Sequence, residues 1–388
     1  MFPMSILGVI TLVAVAGNPS VTIPADKHSD RNASAVAISA DGSLVAAGFG
    51  GGFIPGPSPM IPSGRVVVWD RKTGKQLHAF KQVGDILRVG FSSDGRYLAY
   101  NWIYTPGDSI HARQVVLVDV KKGEAIHRWE SDSFAFSPTK NHLLVGHRSE
   151  IEMVEVPSLK QVRTISVPMP RTIAVSADGK SAAALGSFWE ANRRSGDGLY
   201  YFGLDNDDAS RIRNGENLDK AQSLTLAPDG KQIVTGHDGG EARIWSTADL
   251  DAKPRLLPHD TPLAVFPLYL DKGATLGVFT QPANGVSWRY GKADPQGLKV
   301  EKGRTPPWAD LFRYDLSADP PKAIHWRAED ASYRTVYARF RSTRGHPEVN
   351  SRRYILSTDG KTLVIGCNGC TLVDASTGKI ERSFSCHE

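Results

Sequence analysis

Short apolar segments separated by polar turns recur along this chain. The phrase ISADGSLVAAG at 38–48 joins two such segments through Asp-Gly, and similar phrases follow at 91–99, 175–183, 226–234 and 356–364. Gly in an Asp-Gly pair supplies the positive φ that a two-residue hairpin turn needs, while Asp hydrogen-bonds its own backbone. Each copy therefore predicts a β-hairpin with a two-residue turn.

The hairpins belong to a longer unit that repeats along the chain. Each unit reads as strand a, a tight turn, strand b, a loop, strand c, a short turn and strand d, with no helical periodicity. The seven units begin at VAIS, LRVGFS, FAFS, RTIAVS, SLTLA, AVFPLYL and RYILS. One such unit cannot bury both of its faces alone, so neighbouring units must pack on each other. We therefore predict an all-β fold, a seven-bladed β-propeller of four-stranded antiparallel blades.

The blade count has one alternative. The interval between the last two inner turns, near Lys272 and Asp359, is longer than the others and has room for an eighth unit. Seven blades are favoured because DLFRYDLSADPPKAIHW at 310–326 copies the c–d pair of the second unit, including its Ala-Ile-His.

Two stretches, RVVVWDRKTGKQ at 65–76 and APDGKQIVTGHDGGEARIW at 227–245, resemble WD40 repeats. The resemblance implies a Trp on strand c, which Trp69 and Trp245 supply, and a Gly-His before strand a, which every unit lacks. The two Gly-His pairs follow strand b instead. The buried His–Asp–Ser/Thr–Trp network of a standard WD40 blade is therefore not expected here.

The long insertions all fall at one end of the strands. Because neighbouring strands alternate in direction, the a–b and c–d turns share one face of the propeller, the turn face, and the b–c and d–a connections share the other, the loop face. The turn-face connections are short, and the long insertions are 49–64, 101–112, 187–198, 280–308 and 328–351. Binding residues usually lie on loops held by a rigid scaffold, so the loop face is the predicted binding surface.

Aromatic and Arg side chains, which are enriched in binding hot spots, occur on these insertions. The predicted partner-binding residues are Trp102, Tyr104, Trp189, Arg193, Arg194, Trp288, Tyr337, Arg339 and Arg341. The alternative is that the aromatic residues pack the loops onto the propeller and that the Arg residues are simply solvated.

Charge adds a further alternative. The net charge of the 388 residues is only +5, which does not by itself indicate a nucleic-acid partner. Residues 286–353, however, hold 14 Lys or Arg against 8 Asp or Glu. The basic and aromatic segment 333–353 would therefore suit an anionic glycan or nucleic acid, with an affinity that falls steeply with salt.

The N-terminus predicts export. An uncharged apolar run from Ser5 to Gly17 ends in Ala-Val-Ala, which is typical of a signal peptide, and the run is too short for a confident membrane span. We predict a signal peptide at 1–16, a single propeller domain at 17–388, and a periplasmic or extracellular location, with the cytoplasm as the alternative. No membrane span is expected in the mature chain.

Three cysteines lie near the C-terminus. Cys367 and Cys370 flank Asn-Gly, a type I′ hairpin signal, and Cys370 should pair near Phe384. Cys386 would then be a diagonal neighbour, so a disulfide from Cys386 to Cys370 or Cys367 is sterically reasonable. A zinc site built from the three cysteines and His387 is a less favoured alternative because the spacing is unusual.

No catalytic motif stands in a fitting context, and the predicted loop starts carry two imidazoles and no carboxylate. The sequence therefore predicts no catalytic residue, no metal and no cofactor. The predicted function is a non-catalytic scaffold for a protein partner. The alternative is an exported propeller enzyme, of hydrolase, lactonase or quinoprotein type, with its site at the channel mouth. The sequence does not indicate an oligomeric state.

Overall fold

The structure is a computed structural model, and it describes sixteen parts of the chain. These are residues 33–52, 63–104, 112–131, 133–190, 193–205, 211–214, 218, 221–237, 241–257, 264–270, 275–281, 311–315, 322–326, 354–367, 369–375 and 379–384. The predicted signal peptide at 1–16 lies outside the described residues. No helix within the described ranges is long and apolar enough to cross a membrane.

The first four sheets each use four strands that are consecutive in the chain. Sheet 1 contains β1 (Ala33–Ile38), β2 (Leu44–Gly52), β3 (Ser63–Asp70) and β4 (Gln76–Val83). Sheet 2 contains β5 (Asp85–Phe91), β6 (Tyr97–Tyr104), β7 (Ala112–Asp119) and β8 (Glu124–Trp129). Sheet 3 contains β9 (Ser133–Phe136), β10 (His142–Gly146), β11 (Glu150–Glu155) and β12 (Gln161–Ser166). Sheet 4 contains β13 (Thr172–Val175), β14 (Ser181–Glu190), β15 (Arg193–Gly203) and β16 (Arg211–Asn214).

Three further sheets follow the same plan. Sheet 5 contains β17 (Ala221–Leu226), β18 (Gln232–His237), β19 (Ala242–Ser246) and β20 (Arg255–Leu257). Sheet 6 contains β21 (Ala264–Leu270), β22 (Thr275–Gln281), β23 (Leu311–Asp315) and β24 (Lys322–Trp326). Sheet 7 contains β25 (Tyr354–Leu356), β26 (Thr362–Cys367), β27 (Gly369–Asp374) and β28 (Ile380–Phe384).

The sheets are arranged as the blades of a propeller. Strand order within each sheet follows the chain, and the strand pairs are antiparallel. The first strands contact one another from sheet to sheet, and β1 also contacts β25 and β26 of sheet 7. First strands therefore lie on the inside and fourth strands on the outside. The prediction of an all-β propeller with four-stranded antiparallel blades is confirmed.

The a–b turns are longer than the sequence predicts. Ser39 N donates to Leu44 O at 3.0 Å and Gly42 N donates to Ser39 O at 2.9 Å, so four residues separate the paired positions. Gly42 has a φ of +71°, and Asp41 is not among the described residues with positive φ. Asp41 Oδ1 instead accepts hydrogen bonds from Ser39 Oγ and from Ser43 N, at 2.6 and 3.0 Å. The two-residue turn was wrong because this Ser–Asp bond stabilises a wider loop.

Among the described residues, apolar clusters fill the spaces between consecutive sheets from sheet 1 to sheet 6 and between sheets 1 and 7, so sheets 1 to 5 each bury both faces. Between sheets 1 and 2 the facing side chains include small ones such as Ala35 and Ala46, which let the sheets approach closely. Gly48 shows how closely, since a Cβ there would lie 2.3 Å from Ile86 Cγ2 on sheet 2. This dense packing makes the propeller a rigid support for its connections.

Candidate functional site on the loop face

The site residues predicted on sheet 2 lie on a strand rather than on a loop. Trp102 pairs with Gln114 and Tyr104 with Ala112, because β6 and β7 remain paired into the segment predicted as an insertion. Trp102 packs against the apolar cluster between sheets 1 and 2. The prediction of a loop at 101–104 and 112 was therefore wrong, and Trp102 serves the sheet interface.

The insertion predicted at 187–198 is a projecting hairpin. Strands β14 and β15 pair continuously to their tips, where Trp189 faces Arg194 and Glu190 faces Arg193, with a bulge at Phe188 and Trp189. The neighbouring strands are shorter, since β13 pairs with β14 only as far as Leu185 and β16 pairs with β15 only as far as Gly198. The prediction of a loop was wrong, but the structure brings Trp189, Arg193 and Arg194 together at the end of a two-stranded extension of sheet 4.

The remaining predicted site residues are Trp288, Tyr337, Arg339 and Arg341, and they lie outside the described residues. The same is true of Cys386, so the predicted disulfide stays a prediction. One part of that prediction is confirmed, because Cys370 pairs with Phe384 in the register of β27 and β28 and is buried.

An ion pair that sequence reasoning missed lies at the root of the hairpin. Arg171, directly before β13, has its Nη2 3.0 Å from Asp197 Oδ1 on β15, and both side chains are buried, with 8% and 3% of their surface exposed. Ser187 Oγ on β14 donates to the same carboxylate at 3.1 Å. The carboxylate therefore links both strands of the hairpin to the segment that precedes β13.

A second buried arginine extends this network around the inner edge of the ring. Arg88 on β5 is 3% exposed. Its Nη2 donates to Arg171 O at 2.6 Å and to Thr172 Oγ1 at 2.8 Å, so a side chain from sheet 2 reaches past sheet 3 to sheet 4. Arg171 Nη1 also donates to Ala221 O at the start of sheet 5, at 3.4 Å. The two guanidinium groups thus tie three sheets together at the loop face.

Sheet 5 contains a buried polar chain that the sequence analysis did not expect. Trp245 Nε1 donates to Thr235 Oγ1 at 2.9 Å, and Thr235 Oγ1 is 2.9 Å from His237 Nε2. All three side chains are buried. A His–Thr–Trp chain therefore exists in this sheet, with its His at the end of strand b rather than before strand a. The displaced Gly-His at 236–237 was the available signal.

The turn face has a different character. A shallow groove of about 540 Å³ lies there between sheets 1 and 2, lined by Asp41, Asp94, Arg96, Lys121 and apolar residues including Leu77. Burial alone would raise the pKa of Asp94, but hydrogen bonds from Ser92 Oγ, Arg96 N and Asn141 Nδ2 lower it below the usual value. This carboxylate is already satisfied by its own turn and by sheet 3, which indicates a structural role.

Known proteins match this chain in fold. No family model and no curated protein matches it. A solved structure of Kuenenia stuttgartiensis hydrazine synthase is 15% identical over 93% of this chain and 100% of that chain, with a TM-score of 0.57. The structure of U3-55K is 12% identical, with 87% and 89% covered and a TM-score of 0.57. The WD40 repeats of RRP9 are 13% identical, with 87% and 88% covered and a TM-score of 0.55.

The fold is that of a WD40-like β-propeller. At these identities the likeness concerns the fold alone, and function must be argued from the site. Within the described parts of this WD40-like propeller, no three His, Cys, Asp or Glu residues are grouped as metal ligands would be. The charged groups that do converge are Arg88, Arg171 and Asp197, and their contacts are those of a support for the hairpin.

Proposed function

We propose that this WD40-like propeller is a non-catalytic scaffold that binds a protein partner through its loop face. The observation that carries the proposal is the β14–β15 hairpin, which extends beyond β13 and β16 and bears Trp189, Arg193 and Arg194 at its tip. Trp and Arg are the side chains that most often dominate binding energy at protein interfaces. A paired hairpin also loses less conformational entropy on binding than an open loop of the same length.

The rest of the loop face supports this assignment. The connections 53–62, 105–111, 282–310 and 327–353 all join strands at the same end as the hairpin. In the sequence, Trp288, Tyr337, Arg339 and Arg341 belong to these connections, which lie outside the described residues. On the turn face, in contrast, the Asp side chains of four described a–b turns accept hydrogen bonds from their own turns. A partner that binds aromatic and cationic side chains is therefore expected on the loop face.

We further propose that the seven described sheets are the seven blades of one closed ring. Contacts between consecutive sheets support this, as do the contacts of β1 with sheet 7. The ring needs no strand shared between its ends, because each sheet takes four consecutive strands. Closure then depends on side chains, of which Arg71 and Glu381 form an ion pair at 2.8 Å.

A truncation tests the proposed function. Residues 189–195 are replaced by a two-residue Asn-Gly turn between the paired residues Phe188 and Gly196, which keeps the register of the buried Ser187–Asp197 contact at the root and removes the tip. We expect the truncated protein to keep the unfolding temperature of the full chain and to fail to compete with it for partners captured from its native source. Equal competition by the truncated protein would contradict the proposal.

An anionic polymer is a second candidate, favoured by the charge of 286–353, where Lys and Arg number 14 and Asp and Glu number 8. Its test is titration with heparin and with single-stranded DNA at several salt concentrations. Binding to either polymer that weakens steeply with salt, and that survives removal of the hairpin tip, would favour this candidate over a protein partner. Binding to neither would exclude it.

A further inference from the structure

The hairpin has an unusual foundation for a surface feature. Its two strands are joined at the root by Asp197 and Ser187, and Asp197 is held by a buried guanidinium that belongs to neither strand. Arg171 is in turn fixed from two sides, since its backbone oxygen accepts a hydrogen bond from Arg88 and its Nη1 donates to Ala221 O. The direction of the hairpin is therefore linked to sheets 2 and 5. The link runs through Arg171 and Arg88.

Stability alone does not require charges in this position. Buried ion pairs carry a large desolvation cost, and replacing such a pair with neutral groups of similar size is often neutral or stabilising. A charged pair does, however, impose geometry, because a buried carboxylate left without its guanidinium is strongly unfavourable. This free-energy cost opposes any tilt of the hairpin that separates Asp197 from Arg171. The pair thus selects one direction of the hairpin among those that backbone pairing alone would allow.

We propose that Arg171 and Asp197, supported by Arg88, are positioning residues that hold the β14–β15 hairpin in the direction in which it meets its partner. This inference rests on the proposed function for its biological meaning. The physical claim, that the ion pair fixes the direction of the hairpin, does not depend on a partner. The pair preorganises the binding surface, so that the partner does not have to order the hairpin on binding.

Hydrogen exchange on the free protein tests the proposal without a partner. The variant Arg171→Met with Asp197→Asn removes both charges at nearly constant volume and keeps an oxygen for Ser187 Oγ. We expect about the same unfolding temperature as the unchanged protein but about tenfold faster exchange of the amides at 188–190 and 193–196, since local opening becomes easier. Amides of Ala182 to Leu185, deeper in the same strand, are the internal reference and should not change.

A matched control is available on the same sheet. Arg213 on β16 is 3.2 Å from Asp251 Oδ1, and the side chain of Asp251 is 83% exposed. Arg213→Met removes a guanidinium of the same size from a surface pair, and exchange at the hairpin tip should stay within about twofold of the unchanged protein. The single variant Asp197→Asn leaves the buried charge of Arg171 without its carboxylate, so it should lower the unfolding temperature as well as speed exchange at the tip.

The outcomes separate the two proposals. Unchanged exchange at the tip of the doubly substituted protein would overturn the positioning role, whatever its partner binding. Faster exchange at the tip, together with failure of the truncation test, would keep the positioning role and overturn the proposed function. If the double substitution prevents folding, Arg171→Lys is measured instead. Lys keeps the charge and loses the planar fork, and we expect about threefold faster exchange at the tip.

Discussion

Trp69 on β3 and Phe384 on β28 pack against each other with their ring centroids 5.7 Å apart, which joins the first sheet of the chain to the last. Both lie in an apolar cluster that also contains Val36, Val364 and Leu372. Polar bonds flank the cluster, since Arg382 Nη1 donates to Lys72 O at 2.8 Å and Arg71 Nη2 donates to Thr362 Oγ1 at 3.0 Å. The first and last described sheets are thus held together by side chains rather than by a shared sheet.

This contact predicts a large effect of a single truncation. Phe384→Ala should lower the free energy of unfolding by about 3–5 kcal/mol, because it leaves a cavity in a buried cluster. Leu77→Ala, at a side chain that is 39% exposed on β4 of sheet 1, is the control and should change it by less than about 0.5 kcal/mol. Chemical denaturation of the two variants measures the difference. Similar values for both would show that the first and last sheets are not joined through Phe384.

The Ser–Asp turns predict a dependence of stability on pH. Burial acts to raise the pKa of Asp178, but the hydrogen bonds from Ser176 Oγ and Lys180 N outweigh it and lower the pKa below its usual value. A carboxyl whose pKa is lower in the folded state stabilises the fold above its unfolded pKa of about 3.9, and this contribution is lost as pH falls through the folded pKa. Asp178→Asn should therefore destabilise the protein by about 1 kcal/mol at pH 7 and by less near pH 3.

The turn of sheet 5 offers the matched control for this prediction. Its Asp229 accepts a hydrogen bond from Lys231 N at 3.0 Å, but Ala227 stands where the other four Asp-Gly turns have Ser. Asp229→Asn should therefore cost less at pH 7 than Asp178→Asn. Urea denaturation at pH 3, 5 and 7 measures both. A loss for Asp178→Asn that is the same at all three pH values would refute the role of its charge.

The buried chain in sheet 5 predicts a specific effect of removing one hydroxyl. Thr235→Val keeps the shape of the side chain but leaves Trp245 Nε1 and His237 Nε2 without their shared partner. We expect a loss of about 1–3 kcal/mol, while Thr235→Ser should retain most of the stability. Thermal unfolding of the two variants provides the comparison. If the Val and Ser variants unfold at the same temperature, the Thr235 hydroxyl does not contribute to stability. The geometry of the His–Thr–Trp chain is then incidental.

Export is a separate prediction from the N-terminal sequence. We propose that residues 1–16 are removed during secretion, so that the mature protein begins at Gly17. Mass spectrometry of the protein recovered from its native source measures the first residue directly. Leu12→Arg interrupts the apolar run and should leave the chain uncleaved in the cytoplasm. Recovery of the unchanged protein with its first sixteen residues intact would contradict this proposal.

The cysteines give a further prediction that depends on export. Cys370 is buried and pairs with Phe384, which precedes Cys386 by two residues in the sequence. If these two residues form a disulfide, Cys386→Ser and Cys370→Ser should each lower the free energy of unfolding by about 3 kcal/mol. Cys367→Ser is the control and should have little effect. Peptide mapping without reductant identifies the pair, and alkylation of Cys386 in the oxidised protein would disprove the bond.

The sequence was informative where structure is local and repeated. The segment EAIHRW corresponds to β8, and VAIS overlaps β1. Burial does not alternate along either strand, since β1 is buried throughout and β8 is mostly exposed, so the repeated order of segments and turns carried the prediction. Gly42 was correctly predicted to have positive φ. The width of its turn was not predicted, because the bond from Ser39 Oγ to Asp41 competes with the two-residue alternative and leaves no distinct sequence signal.

Predictions failed where contacts join distant parts of the chain. Residues 187–198 were predicted as a loop, although backbone pairing continues through Gly196 and Gly198. The bond between Arg88 and Thr172 joins residues 84 positions apart, and local composition does not specify such a pairing. A charged residue within an apolar strand, as in LRVGF, was the only sign that a buried partner had to exist.

Site-specific photo-cross-linking tests the loop-face proposal most directly. A photoreactive phenylalanine analogue is placed at Trp189 on the hairpin and, in a second protein, at Lys121 beside the groove of the turn face. Both proteins are irradiated in the native source, and the cross-linked partners are compared with and without excess unlabelled propeller. We predict a partner at position 189 that the unlabelled protein displaces and that is absent at position 121. A displaceable partner at position 121, with none at position 189, would contradict the proposal.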